Sequence, residues 1–128
     1  MRDAISEVKA TIRTMLRDGF HAVPSARADS GKVHLEVWES RARRTVGLEM
    51  GHEETVNLWL VSLNVPPDLP GSINRTDKLP KGRGWTDAAG KGANSNLSAY
   101  ETFRTKKITR LGITRKDDAR YILEHLNR

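Results

Sequence analysis

Between Lys32 and Leu63 the sequence alternates apolar and polar residues three times in succession, in "KVHLEVW", "TVGLEM" and "TVNLWLVSL". A period of two places successive side chains on opposite faces of a strand. The connections "ESRARR" and "GHEE" are short enough for hairpins, so the three segments predict an antiparallel meander. One register suits all of them. With Leu35 facing Leu48 and Leu48 facing Leu58, nine aliphatic side chains share one face. The opposite face then carries His34, Glu36, Trp38, Gly47, Glu49, Asn57 and Trp59, with the Trp59 indole beside Gly47.

Helices are expected on both sides of this meander. Residues 3–18, "DAISEVKATIRTMLRD", repeat Ile5, Val8, Ile12, Met15 and Leu16 at helical spacing, and Gly19 is a suitable stop. At the other end, "SNLSAYETFRTKK" sets Leu97, Tyr100 and Phe103 three residues apart, with Asn94 or Ser95 as cap. "TRKDDARYILEHLNR" opens with Thr114 and Asp117 in a near capping-box arrangement and buries Ala119, Ile122, Leu123 and Leu126. The expected architecture is therefore α+β in a single domain, residues 1–128. It has an N-terminal helix, a three-stranded antiparallel meander and two C-terminal helices. The stretch 71–96 between them holds Gly, Pro and basic residues and reads as a long loop, in which "GRGW" could form a short fourth strand.

Charge is unevenly distributed. Residues 71–116 hold eleven Lys/Arg against three Asp/Glu, whereas the rest of the chain is close to neutral, so the whole net charge of +6 originates in this segment. Positive potential of that kind favours polyanionic partners. The segment is accordingly expected to bind nucleic acid, DNA or RNA. Arg75, Lys78, Lys81, Arg83 and Lys91 would contact phosphates, Lys106, Lys107 and Arg110 would extend the track, and Trp85 would stack on a base or else fold back as a core plug for the loop. The glycines around Lys91 and Asn94, just before an expected helix, suit a backbone anion cradle. They do not form a nucleotide-binding P-loop. Gly84 is one residue too far from the Gly-Lys pair, and Gly92 stands where a Ser or Thr is needed. Two further basic clusters, Arg41, Arg43 and Arg44 at a hairpin tip and "RTKKITR" at 104–110, could serve the same purpose or merely solvate the surface.

Two other uses of the chain follow from the same residues. A basic face also suits an acidic protein partner, as an interaction module or inhibitor would require. A metal-dependent hydrolase could be built from Glu36, Glu49 and His34, but no catalytic lysine stands at the neighbouring position. His21, His52 and His125 lack metal-ligand spacing and there is no cysteine, so neither metal nor cofactor is expected and a non-enzymatic role is favoured. Charges at Arg2, Asp3, Glu7, Lys9, Arg13, Arg17 and Asp18 interrupt any signal-peptide core, which points to a cytoplasmic protein without a membrane partner. No resemblance to a known family is apparent.

Overall fold

The computed structural model describes residues 2–24, 35–49, 51–52 and 54–128. Helix α1 (Ile5–Gly19) leads into a seven-stranded antiparallel sheet, and helix α2 (Lys116–Leu126) closes the chain. The strands are β1 (Phe20–Ala22), β2 (Leu35–Ser40), β3 (Thr45–Glu49), β4 (Val56–Val61), β5 (Asn74–Lys81), β6 (Gly84–Thr86) and β7 (Ile108–Ile113). Their spatial order is β1-β2-β3-β4-β7-β5-β6. The meander is present, but it is less than half of the sheet.

Two expectations are corrected here. Residues 71–96 are not a long loop, since β5 and the short edge strand β6 form a hairpin within them. Nor are there two C-terminal helices. Ser95–Ala99 is a short 3₁₀ helix, and Ile108–Ile113, between the two expected helices, is β7, inserted between β4 and β5 in the interior of the sheet. The three-residue spacing of Leu97, Tyr100 and Phe103 suits the three residues per turn of 3₁₀ structure and tight turns rather than the 3.6 of an α-helix. In β7 both faces are buried, so Ile108, Leu111 and Ile113 do not spell a clean alternation.

Both faces of the sheet are covered, which explains a further departure. Helices α1 and α2 pack on one face against Val46, Leu48, Val56, Leu58, Leu60, Leu111 and Ile113. Leu35, Val37, Trp59, Trp85, Leu97, Tyr100, Phe103 and Ile108 make a second core on the other. Leu48 faces Leu58 and Gly47 faces Trp59, as the alternation predicts. Strand β2, however, is shifted by one residue, with Leu35 opposite Glu49 and Val37 opposite Gly47. That slip moves Leu35 and Val37 to the Trp59 face and turns Glu36 and Trp38 toward the helices. With apolar partners waiting on both faces, alternation alone does not choose between the registers.

Gly47 makes this second core possible. A Cβ there would lie 3.1 Å from Leu35 Cδ1 and 3.4 Å from Trp59 Cβ, so the sheet is bare where these side chains and Leu97 converge. The start of α2 is also held differently from the capping box in the sequence. The Lys116 amide donates to Asp3 Oδ2 at 2.8 Å, so a side chain from the far end of the chain supplies the cap.

Candidate polyanion-binding end of the sheet

The glycine-rich stretch around Trp85 folds inward. Trp85 is only 7% exposed, and its indole N–H donates to the Lys106 carbonyl at 2.8 Å. It plugs the second core and offers no face for base stacking. Lys78, 2% exposed, places Nζ 2.7 Å from Asp87 Oδ2. The other carboxylate oxygen of Asp87 accepts the backbone N–H groups of Ala89 and Lys91, both at 2.9 Å, and Gly90 takes the left-handed φ of +78° that this tight turn needs. The cradle expected to hold a ligand's phosphate is therefore occupied by the protein's own carboxylate. The Lys78 ammonium and the N–H groups hold that carboxyl at about 2.

Other predicted contact residues are likewise engaged within the fold. Asn94 caps the 3₁₀ helix, accepting from the Asn96 amide at 3.0 Å. Arg110 places its guanidinium carbon 5.9 Å from the centroid of the Trp59 ring. Arg75 pairs with Asp77 at 3.1 Å. Burial pushes the Asp77 carboxyl up, but hydrogen bonds from Thr109 and Arg75, with the charges of Arg75 and Lys107, outweigh it and hold the group below the usual carboxylate range. Lys91 is exposed on the turn beside Asp87.

Four of the predicted residues do come together. Lys81 and Arg83 flank Gly82 at the exposed β5–β6 tip, where Gly82 has φ +57° and takes the first position of a two-residue turn. Lys106 and Lys107 are exposed immediately before β7. Their backbone is pinned on both sides, with the Lys106 carbonyl bonded to Trp85 and the Lys107 carbonyl accepting the Ser62 amide at 3.0 Å.

Antiparallel pairing carries the β2–β3 turn, the end of β4, the start of β7 and the β5–β6 turn to the same end of the sheet. Arg41, Arg43 and Arg44 therefore join the lysines. Arg43 adopts a left-handed φ of 62°, the Arg41 amide donates to Asn127 Oδ1 at 2.9 Å, and the Arg44 guanidinium donates to the His125 carbonyl at 2.8 Å. Arg41 and Arg43 are exposed. Carboxylates reach this end too, for Asp18 and Glu124 line a pocket with Arg41 and Asn127. Burial, then the charges of Arg44 and Arg128, hold His125 below its ordinary value even though it lies at a helix C-terminus.

The basic turns stand in a row. From the β2–β3 turn to the β5–β6 turn is four strand spacings, about 19 Å. The grouping could not be read from the sequence, because it depends on the insertion of β7 between β4 and β5.

The carboxylates of the hydrolase alternative diverge. Glu36 meets Arg13 at 3.1 Å on the helix side, while Glu49 lies on the opposite face, accepting the Trp59 indole N–H and lying 2.8 Å from His52 Nε2. His34 lies outside the described residues. Among the described residues no group of three or more His, Asp or Glu could hold a metal ion, and no helix is long and apolar enough to cross a membrane. Family models, curated proteins and solved structures give no significant match to this chain.

Proposed function

We propose that the protein binds the phosphate backbone of nucleic acid through the basic end of its sheet. The observation behind this reading is the convergence of segments far apart in sequence, residues 41–44, 81–83 and 106–107, on one row of turns. Arg43, Lys81, Arg83, Lys106 and Lys107 are its principal contacts. They are exposed, and their backbones are anchored in regular structure or by hydrogen bonds, so little ordering is needed on binding. The role is binding without chemistry. Arg75, Lys78, Trp85, Asn94 and Arg110 serve the fold.

The test is fluorescence anisotropy of labelled duplex DNA, single-stranded DNA and RNA across a salt series. Five phosphate contacts on a duplex give a log–log slope of about −4.5. A flat salt response, or no affinity at low salt, overturns the reading. Capture of an acidic protein in preference to all three nucleic acids assigns the same surface to a protein partner instead.

A further inference from the structure

The basic row has an aliphatic residue in its interior. Leu63, in the 3₁₀ turn Ser62–Asn64 that follows β4, is 91% exposed. Its exposure does not come from a loose loop. The Ser62 amide donates to the Lys107 carbonyl at 3.0 Å, the Ser62 and Thr109 hydroxyls are 2.7 Å apart, and the Val65 amide returns to the Ser62 carbonyl at 3.2 Å. In strand spacings, Leu63 stands about 7 Å from the β2–β3 turn and about 12 Å from the β5–β6 turn. The fold thus fixes the backbone on either side of an apolar side chain that lies in water, with Arg43 on one side and Lys107, Lys81 and Arg83 on the other.

The aromatic residues narrow the choice of nucleic acid. Non-specific single-strand binding relies on exposed aromatic rings as stacking platforms. This chain has three tryptophans, two tyrosines and two phenylalanines. Phe20, Trp59, Trp85, Tyr100 and Phe103 are buried, Trp38 packs against the helix-side core, and Tyr121 is partly buried on α2 with its hydroxyl donating to the Asp68 carbonyl at 2.7 Å. None is left for stacking. An exposed aliphatic residue on an anchored turn, flanked by cations, is instead the arrangement that opens a base step of a duplex from the minor groove, where the wedge unstacks the step and the cations hold the phosphates on either side.

Building on the proposed backbone binding, we infer that the partner is double-stranded DNA, with Leu63 inserted as a wedge that bends it. Flexible pyrimidine–purine steps are the preferred sites, because they unstack at least cost.

The test uses the full chain and a duplex of about 25 base pairs with a central TA step, labelled at both ends for energy transfer. Wild type shortens the end-to-end distance on binding. Leu63→Ala abolishes that shortening and weakens binding by about tenfold or more, with the salt slope unchanged because the phosphate contacts remain. Leu79→Ala, at the other strongly exposed leucine, leaves the bend as it is. An unaltered thermal midpoint in Leu63→Ala confirms an intact fold. If Leu63→Ala bends the duplex as wild type does, the wedge is wrong while backbone binding stands. Preference for a single strand over the duplex also overturns it. Absence of salt-dependent affinity for any nucleic acid removes both readings. Leu63-dependent capture on phosphatidylserine–phosphatidylcholine vesicles, without duplex affinity, would assign the surface to an anionic membrane.

Discussion

Lys78 Nζ sits 2.7 Å from Asp87 Oδ2, with the lysine almost wholly buried. The pair ties β5 to the turn that follows β6, and the carboxylate also organises that turn through the amides of Ala89 and Lys91. Asp87→Asn leaves a buried ammonium without its counter-charge and should lower the thermal midpoint by roughly 10 °C. Lys78→Met keeps the buried stem, and the carboxylate keeps its two amides and its access to solvent. That variant should lose less, and differential scanning calorimetry of the two compares them directly.

Acid sensitivity follows from the same carboxyl. Its folded value of about 2 lies below the ordinary 3.8. The unfolded chain therefore takes up this proton first as pH falls. The stabilisation is complete above about pH 4 and is lost as pH drops toward 2. Denaturant midpoints measured between pH 5 and 2 should fall more steeply for wild type than for Asp87→Asn. Parallel curves would show that Asp87 does not carry the effect.

Trp85 distinguishes a core plug from an exposed contact. Trp85→Ala should destabilise the protein by about 3–5 kcal/mol through lost burial and the cavity left behind. Trp85→Phe should recover most of this, lacking mainly the hydrogen bond to Lys106, about 1 kcal/mol. Urea unfolding measures both. A Trp85→Ala protein of unchanged stability would place the indole in solvent.

Gly47 is a test of the second core and of the β2 register together. An alanine methyl would press on Leu35 Cδ1 and Trp59 Cβ, so Gly47→Ala should cost about 1–3 kcal/mol. In the register that places Leu35 opposite Leu48, Leu35 would lie on the other face and that contact would not arise. A Leu35→Ala, Gly47→Ala double variant should show the coupling as a cost below the sum of the single changes.

His125 reports on the basic end. Arg44 and Arg128 add to burial in holding its pKa below 6.5, so on acidification the unfolded chain is protonated first and stability declines as pH falls through that region. A polyanion bound at the neighbouring Arg43 brings negative potential that opposes those arginine charges. Titration of the His125 imidazole by NMR should therefore move to higher pH when duplex is added, and an unmoved titration would place the ligand elsewhere.

Some of this protein was legible in its residue order. The stripe of Val8, Ile12 and Leu16, the closing stripe from Ala119 to Leu126, and the β3–β4 pairing each depend on neighbours a few residues apart, whose periodicity survives in the sequence. The excess of positive charge was legible for the same reason, since it is a property of composition. Tertiary structure decided the rest. Covering both faces of the sheet removed the contrast that would have shown Ile108–Ile113 to be a strand and Leu35 to face Trp59. Placing β7 between β4 and β5 then gathered Arg43, Leu63, Lys81, Arg83, Lys106 and Lys107 at one end. Lys78 and Trp85 look, as residues, like parts of a binding loop. Lys78 and Trp85 became interior because the β5–β6 hairpin folds onto the sheet, where Asp87 supplies the ammonium's counter-charge and the Lys106 carbonyl accepts the indole N–H.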